Sequence, residues 1–382
     1  MQPLFCIRGG DAFRKGLQKG KAMKFIHLAD AHLGAEPESG TPLGPIRKRE
    51  IWDAFRDVIA LCEREEVDLL LLPGDLFHGQ PLLRDVKEVD YLFGSLTKTR
   101  VVLIAGNHDC LLPASHYYDV PFSDNVTFLM DTEADSVYFA DLNTEVFGLS
   151  YEQKQIAEAR YDKLAVTDKS RINILIAHGN INGGDKSIPI HRAAIEAAGF
   201  DYAALGHIHT RFDISNRIVY SGGFEPFERK ESGPKGYIAG EITKTGEHSE
   251  VRWEFVPHAK REYVPMQLEV TAQTTELSLC DELWEKMTER GTEHMYLVTL
   301  TGKRAPELTF DADVIMGRMQ NRGGYLIELT DETVPDFPVE ELLKKHRDDF
   351  IGKYIKRLME EEDKEIAKKA VEYGLLALLT EK

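Results

Sequence analysis

Lys24-Phe25-Ile26-His27-Leu28-Ala29-Asp30-Ala31-His32 is the stretch on which the fold turns. Residues 25–29 are apolar on both faces, the mark of a strand buried inside a layered sheet. That run delivers an aspartate and a histidine, two residues apart, to the loop that follows. Four further segments repeat the arrangement: Gly74-Asp75-Leu76-Phe77-His78, Gly106-Asn107-His108-Asp109, Ala177-His178-Gly179-Asn180 and Gly206-His207-Ile208-His209. Each follows its own apolar run, at 68–72, 101–105, 172–177 and 202–205. Polar side chains at the carboxyl ends of strands occupy the usual position of sites in α/β sheets. Six of the chain's 13 histidines (His32, His78, His108, His178, His207 and His209) lie in these five segments.

Between the strands the periodicity changes. Ile46, Ile51, Phe55, Val58, Ile59 and Cys62 fall near helical spacing across 46–64, with Pro45 suited to a first turn. Val86, Val89, Leu92, Phe93 and Leu96 make a second stripe, which packs on the sheet or contributes to a homodimer contact. Short strands are expected at 126–129, 137–140, 145–149 and 218–221, and a closing hairpin at 236–242 and 251–256. These patterns define an α/β layered domain over 23–260. A strand–helix–strand–helix–strand block follows at 261–335. Pro335 and Pro338 then lead into a helical tail, 336–382. Glu360-Glu361-Glu362-Asp363 is a solvated helix junction rather than a metal site. Met23 is the expected natural start, with 1–22 an upstream extension or a flexible arm.

Composition narrows the function classes. At 382 residues the chain is long enough for two or three cores. No apolar run approaches the roughly 18 residues that span a bilayer, and mean hydropathy is −0.32. Cys6, Cys62, Cys110 and Cys280 form no CxxC pair, which points to free thiols in a reducing compartment. The net charge of −17 opposes metal-free binding of a polyanion. A pair of divalent cations reverses that charge locally, and repulsion is screened beyond about 8 Å at physiological salt.

The five segments together offer carboxylate, imidazole and amide donors, the mixture that borderline divalent metals accept. Asp30 and His32, two apart at a strand end, are expected to face one ion together; His207 and His209 repeat that spacing. Asp75 has two carboxylate oxygens and suits a bridge, while Asn107 adds a neutral oxygen. Gly74 and Gly106 let the backbone turn before each ligand. DxH or GD alone is common, and a lone strand-end aspartate is more often a cap. The ordered set DxH…GD…GNHD…H…GHxH is what carries information. His27 is expected as a satisfied histidine within the first strand, and His116 and His191 as structural residues.

With this set of motifs the chain resembles the calcineurin-like metallophosphoesterases, and within them the SbcD/YhaO type of DNA-repair nuclease. Asp30-Ala31-His32-Leu33-Gly34 and Gly74-Asp75-Leu76-Phe77-His78 carry the resemblance. The Asp-Arg-Gly that protein phosphatases of the superfamily place after GD is absent. The resemblance implies a β-sandwich flanked by helices, with a small α/β DNA-capping domain and a helical tail. It implies two divalent ions, manganese first, with zinc and iron open. One ion would take Asp30, His32, Asp75 and His209, the other Asp75, Asn107, His178 and His207. His108 would be the catalytic histidine, His78 would assist exonuclease action, and Asp109 would orient His108. DNA would be the substrate and an SbcC-type coiled-coil ATPase the partner, in a cytoplasmic, nucleoid-associated homodimer.

The chain departs from that pattern at one place. Where related nucleases carry a Ser-Pro-Gln-Gly-Arg-like stretch, Tyr220-Ser221-Gly222-Gly223-Phe224-Glu225-Pro226 stands here, before Gly233-Pro234-Lys235-Gly236 returns to it. Two other readings are weighed against the nuclease: a small-molecule or cyclic-nucleotide phosphodiesterase, and a non-catalytic scaffold tethering DNA or the ATPase. The appended domains argue against the first and the complete ligand set with His108 against the second.

Overall fold

β1 (Met23–His27) lies in the interior of a six-stranded sheet. On one side it runs parallel to β2 (Leu69–Pro73), followed by β3 (Arg100–Ile104) and β4 (Val126–Phe128). On the other side it pairs antiparallel with β11 (Gly236–Thr245), which turns back into β12 (His248–Pro257). A second sheet has the order β5 (Asp135–Phe139), β6 (Thr144–Gly148), β7 (Ile172–His178), β8 (Tyr202–Gly206), β10 (Ile218–Tyr220) and β9 (Phe212–Ser215). This computed structural model describes residues 22–184 and 186–379, so the 1–22 extension, apart from Ala22, lies outside the described residues.

The two sheets face each other across Phe25, Leu69, Leu71, Val102 and Ile104 on one side and Val146, Ile174, Ile176, Tyr202 and Val219 on the other. The outer face of the first sheet is covered by α1 (Gly44–Arg64) and α2 (Leu83–Gly94). α1 has proline in its first turn and buries Ile51, Phe55, Val58, Ile59 and Cys62, the stripe its spacing predicts. Each such side chain contributes roughly 1.5–3 kcal/mol by leaving water. α3 (Arg192–Ala198) covers the second sheet with Ile195 and Ala198 and stops at Gly199, which takes the left-handed conformation (φ 89°). His27 is fully buried between the sheets, bonded to the Tyr202 hydroxyl (3.0 Å) and the Leu205 carbonyl (3.2 Å).

Residues from Arg261 onward form a second compact unit. β13 (Tyr263–Val270), β14 (Met295–Arg304) and β15 (Tyr325–Asp331) are parallel, with β16 (Val334–Pro335) added at the end of β14. α4 (Glu276–Arg290) and α5 (Ala312–Asn321) make the crossovers and bury Leu279, Leu283, Met287, Ile315 and Met319 against the sheet. α4 begins with a capping box in which Thr275 and Ser278 satisfy each other's backbone N–H groups. The tail is α6 (Val339–Lys345), α7 (Phe350–Met359) and α8 (Lys364–Leu379), joined through Ile355, Val371 and Leu375. The acidic run 360–363 is exposed between α7 and α8. Among the described residues no helix is long and apolar enough to cross a membrane.

Candidate metal centre

β1 ends at His27, so Asp30 and His32 do not alternate along a strand as the sequence suggests. Both sit in left-handed backbone (φ 51° and 46°), as do Asp75 (51°) and His207 (96°). Residues with side chains seldom adopt that region, and each held there costs on the order of 1–3 kcal/mol. The strain is supported by backbone pairing between two neighbouring loops: His32 N donates to Asp75 O (3.0 Å) and Leu33 N to Leu76 O (2.8 Å). Convergence of the ligands comes from these kinked strand exits. Gly74 is needed for its φ of 90° and because a Cβ there would meet His178 Nδ1 at 2.5 Å. At Gly106 the reason is space alone, since a Cβ would lie 2.2 Å from Asp75 Oδ1.

The seven expected ligands are brought together. His32 Nε2 and His209 Nε2 face each other at 3.1 Å. Asn107 Oδ1 lies 2.9 Å from His178 Nε2 and 3.0 Å from His207 Nδ1. Asp75 Oδ2 stands between the two groups, 3.8 Å from His32 Nε2 and 3.4 Å from His178 Nε2. Asp30, His32 and His209 form one compact donor cluster, and Asp30, Asp75 and His178 another. An ion about 2.0–2.2 Å from each nitrogen or oxygen ligand holds neighbouring donors about 3 Å apart, the spacing seen here. The donor set therefore fits divalent metals.

Hydrogen bonds behind the donors select their lone pairs. His178 Nδ1 is bonded to Pro73 O (3.0 Å), so Nε2 is the free ligand atom. His209 Nδ1 is bonded to Glu231 Oε1 (2.6 Å), and its carbonyl accepts from Lys235 Nζ (2.7 Å). Glu231 and Lys235 are both buried. Sequence reasoning missed this carboxylate–histidine pair; the only local signal is an acidic residue four before Lys235. Asp30 accepts from His207 N through both oxygens (2.9 and 3.0 Å), and Asp75 Oδ1 accepts from His108 N (2.8 Å).

Asp109 differs from the expectation that it orients the His108 ring. Its carboxylate accepts from Gly106 N (2.8 Å), Phe77 N (3.1 Å) and the Tyr117 hydroxyl (2.7 Å), thereby tying the 106–109 loop to the 74–78 loop. The His108 ring is set instead by the His78 carbonyl, 3.1 Å from Nδ1. The His78 ring stacks against His108 at 5.4 Å and reaches His32 Nδ1 at 3.4 Å. Cys110 is buried beside this loop as a free thiol.

Burial and mutual attraction move the titratable groups of the site away from their ordinary values. Burial pushes Asp30 up to about 6, against the opposing pull of His209 and His178. Burial also penalises the charged forms of Asp75 and His178, but their mutual attraction prevails. Asp75 is held below the usual carboxylate range and His178 is raised to about 9. Burial drives His32 well below its ordinary value. Asp109 is pushed up to about 6 by burial and by Asp75. Three buried carboxylates concentrated in this way call for local positive charge.

Residues 23–211, which carry every donor of the site, match the calcineurin-like phosphoesterase family. The chain carries a domain of that family, which implies a hydrolase acting on phosphoesters, and its donor clusters can hold metal ions. It is 26% identical over 314 residues to the uncharacterized metallophosphoesterase YhaO of Bacillus subtilis (strain 168), covering 76% of this chain and 74% of that protein. The SbcD component of the SbcCD nuclease of Staphylococcus epidermidis is 26% identical over 255 residues, 56% of this chain and 65% of the relative. The DNA double-strand break repair protein Mre11 of Aeropyrum pernix is 24% identical over 241 residues, 56% of each. The chain thus spans less than two thirds of the latter two relatives.

Proposed function

We propose that this chain is a two-metal phosphodiesterase that cleaves DNA, as an exonuclease with added single-strand endonuclease action, in double-strand-break repair. The observation that carries the reading is the convergence of seven donors from five loops beneath His108. Asp30, His32, Asp75 and His209 would hold one ion, and Asp75, Asn107, His178 and His207 the other. Manganese suits this mixed imidazole, carboxylate and amide set. Bound there, the two ions neutralise phosphoryl oxygens and lower the pKa of water for in-line attack.

The chain's own groups do the rest. The Pro73 and Glu231 bonds keep His178 and His209 from rotating away from the site. With Nδ1 held by the His78 carbonyl, the His108 ring leaves Nε2 to donate to oxygen on which negative charge grows. Losing such a donor costs roughly 10²–10³ in rate. Relatives named for nuclease action and break repair support DNA as the substrate. Exposed Phe350, Ile366 and Tyr373 on the tail (68%, 65% and 74%) support docking of a coiled-coil ATPase of the SbcC type by its helices. The stripe of Val86, Val89, Leu92, Phe93 and Leu96 packs on the sheet, so self-association is supported instead by exposed Leu82 before α2 and Tyr91 on it.

The test is a manganese-dependent assay on linear duplex DNA and on bis-p-nitrophenyl phosphate. Cleavage of both is expected, with His108→Gln losing activity while retaining metal. Turnover of the small ester alone would replace the proposal with a small-molecule phosphodiesterase, and turnover of neither with a tethering scaffold.

A further inference from the structure

Two cavities meet at the His78–His108 pair. One, of about 460 Å³, lies over the donors and is lined by Asp75, His108, His207 and His209. Glu228, Lys230 and Glu231 also line it, with Lys230 paired to Glu228 at 2.7 Å. The other, of about 510 Å³, leads away from His78 between the start of α1 and the start of α2. Its volume is within the roughly 300–1,000 Å³ of small-ligand sites. Four cations line it, Lys48, Arg49, Arg56 and Arg84, against two carboxylates, Asp85 and Glu88. In a chain of net charge −17 that local excess is unusual.

The lining is also arranged. Lys48, Trp52 and Arg56 are spaced four apart on α1 and follow one ridge of the helix. Arg56 is committed to Glu88 and Asp53 and lies over the Trp52 ring at 5.5 Å from its centroid. Arg84 is paired with Asp85 at 3.4 Å, and among the described residues Lys48 pairs with Glu36 alone, across an exposed 3.4 Å contact. Arg49 has no ion pair among the described residues. Lys48 and Arg49 are therefore the cations most available to a ligand, and the half-buried Trp52 supplies an aromatic wall beside them.

We propose that this cavity is the path of the substrate strand flanking the scissile phosphate, single-stranded at this point. Lys48 and Arg49 contact its phosphates and Trp52 stacks on one of its bases. A phosphodiester ladder requires cations at intervals, and a stacked base requires an exposed ring face, which an unpaired nucleotide alone can use. The inference rests on the nuclease reading and deepens it: it assigns where the strand runs, not only that it is cut.

The experiment uses the full chain with calcium and a fluorescein-labelled oligothymidylate, followed by anisotropy across a salt series and by tryptophan fluorescence. The double variant Lys48→Gln/Arg49→Gln is expected to bind about tenfold more weakly at low salt. Its log–log salt slope should flatten by roughly 0.7 for each phosphate the variant no longer neutralises. The oligonucleotide should quench tryptophan emission in the parent protein, and Trp52→Phe, which leaves Trp253 and Trp284, should remove most of that quench. Variants that melt like the parent yet keep its affinity, slope and quench overturn the strand path and leave the nuclease reading standing. A parent protein that hydrolyses bis-p-nitrophenyl phosphate but neither binds nor cuts any oligonucleotide overturns the nuclease reading itself, and this inference with it.

Discussion

The five ligand loops and the 221–235 segment border the same site, but they differ in how their residues act. In the loops the functional atoms belong to residues standing next to strand ends, so each motif is local. The 221–235 segment departs from the nuclease pattern at its start, yet residues 221–226 are buried throughout. It places Glu225 on Arg47 (2.6 Å) and Glu231 on His209 (2.6 Å), partners 178 and 22 residues away. Ligand identity is a local property of this protein; ligand orientation is not.

Breaking the second region's anchors tests that distinction. The largest effect is expected from Arg47→Met. Arg47 is fully buried and binds Glu225, which is buried as well, together with Glu50. Removing one member of a buried pair costs about 3–5 kcal/mol. Urea unfolding should show a loss of that order, and Arg47→Met/Glu225→Gln should recover part of it. An unchanged midpoint in the single variant would show that the segment is not held by this pair.

His108→Gln comes next, with the 10²–10³ loss in turnover stated above and metal content preserved. Next in size is Glu231→Gln, which weakens the carboxylate–histidine bond without changing a ligand. Such partners are typically worth 10–100-fold in metal affinity. Calorimetric titration with manganese should show one of two sites weakened by that factor and the other retained. Equal weakening of both would argue against the assignment of His209 to a single ion.

Reckoned per pH unit, the smallest expected effect belongs to His27, remote from both regions in role. Burial lowers its pKa from 6.5 to about 3. The unfolded chain takes up this proton below about pH 6.5 and the folded one does not until about pH 3, so its stabilising contribution is present above 6.5 and lost as pH falls between those values. Relative to His27→Gln, the metal-free parent should lose stability by up to about 1.4 kcal/mol per pH unit in that window. Parallel pH profiles for the two proteins would contradict the assignment.

Periodicity is sufficient to locate the principal helices and strands of the first unit, and the strand–helix alternation of the second, because each face is set by neighbours three, four or two residues away. Pairing of β11 with β1 is not legible, since it joins residues more than 200 apart through backbone bonds that any sequence can make. The left-handed backbone at Asp30, His32, Asp75 and His207 is equally hidden: Asp and His enter that region more readily than most residues, but only the packed loops impose it at these positions. The motif around Asp109 places it near the site but points to the wrong partner. Beside the local bond from Gly106 N, it accepts from Phe77 N and the Tyr117 hydroxyl, which the folded sandwich brings to it.

The order and chemistry of the ligands, and the sheet ends that carry them, were determined by the sequence alone, because apolar runs specify strands and side-chain type specifies which metals can be bound. Which nitrogen of each imidazole faces inward, which carboxylate steadies it and where cations outnumber acids beside His78 were decided only by tertiary structure. Those properties depend on distances between chain segments far apart in sequence, and a distance across a fold exists only once both sheets have packed.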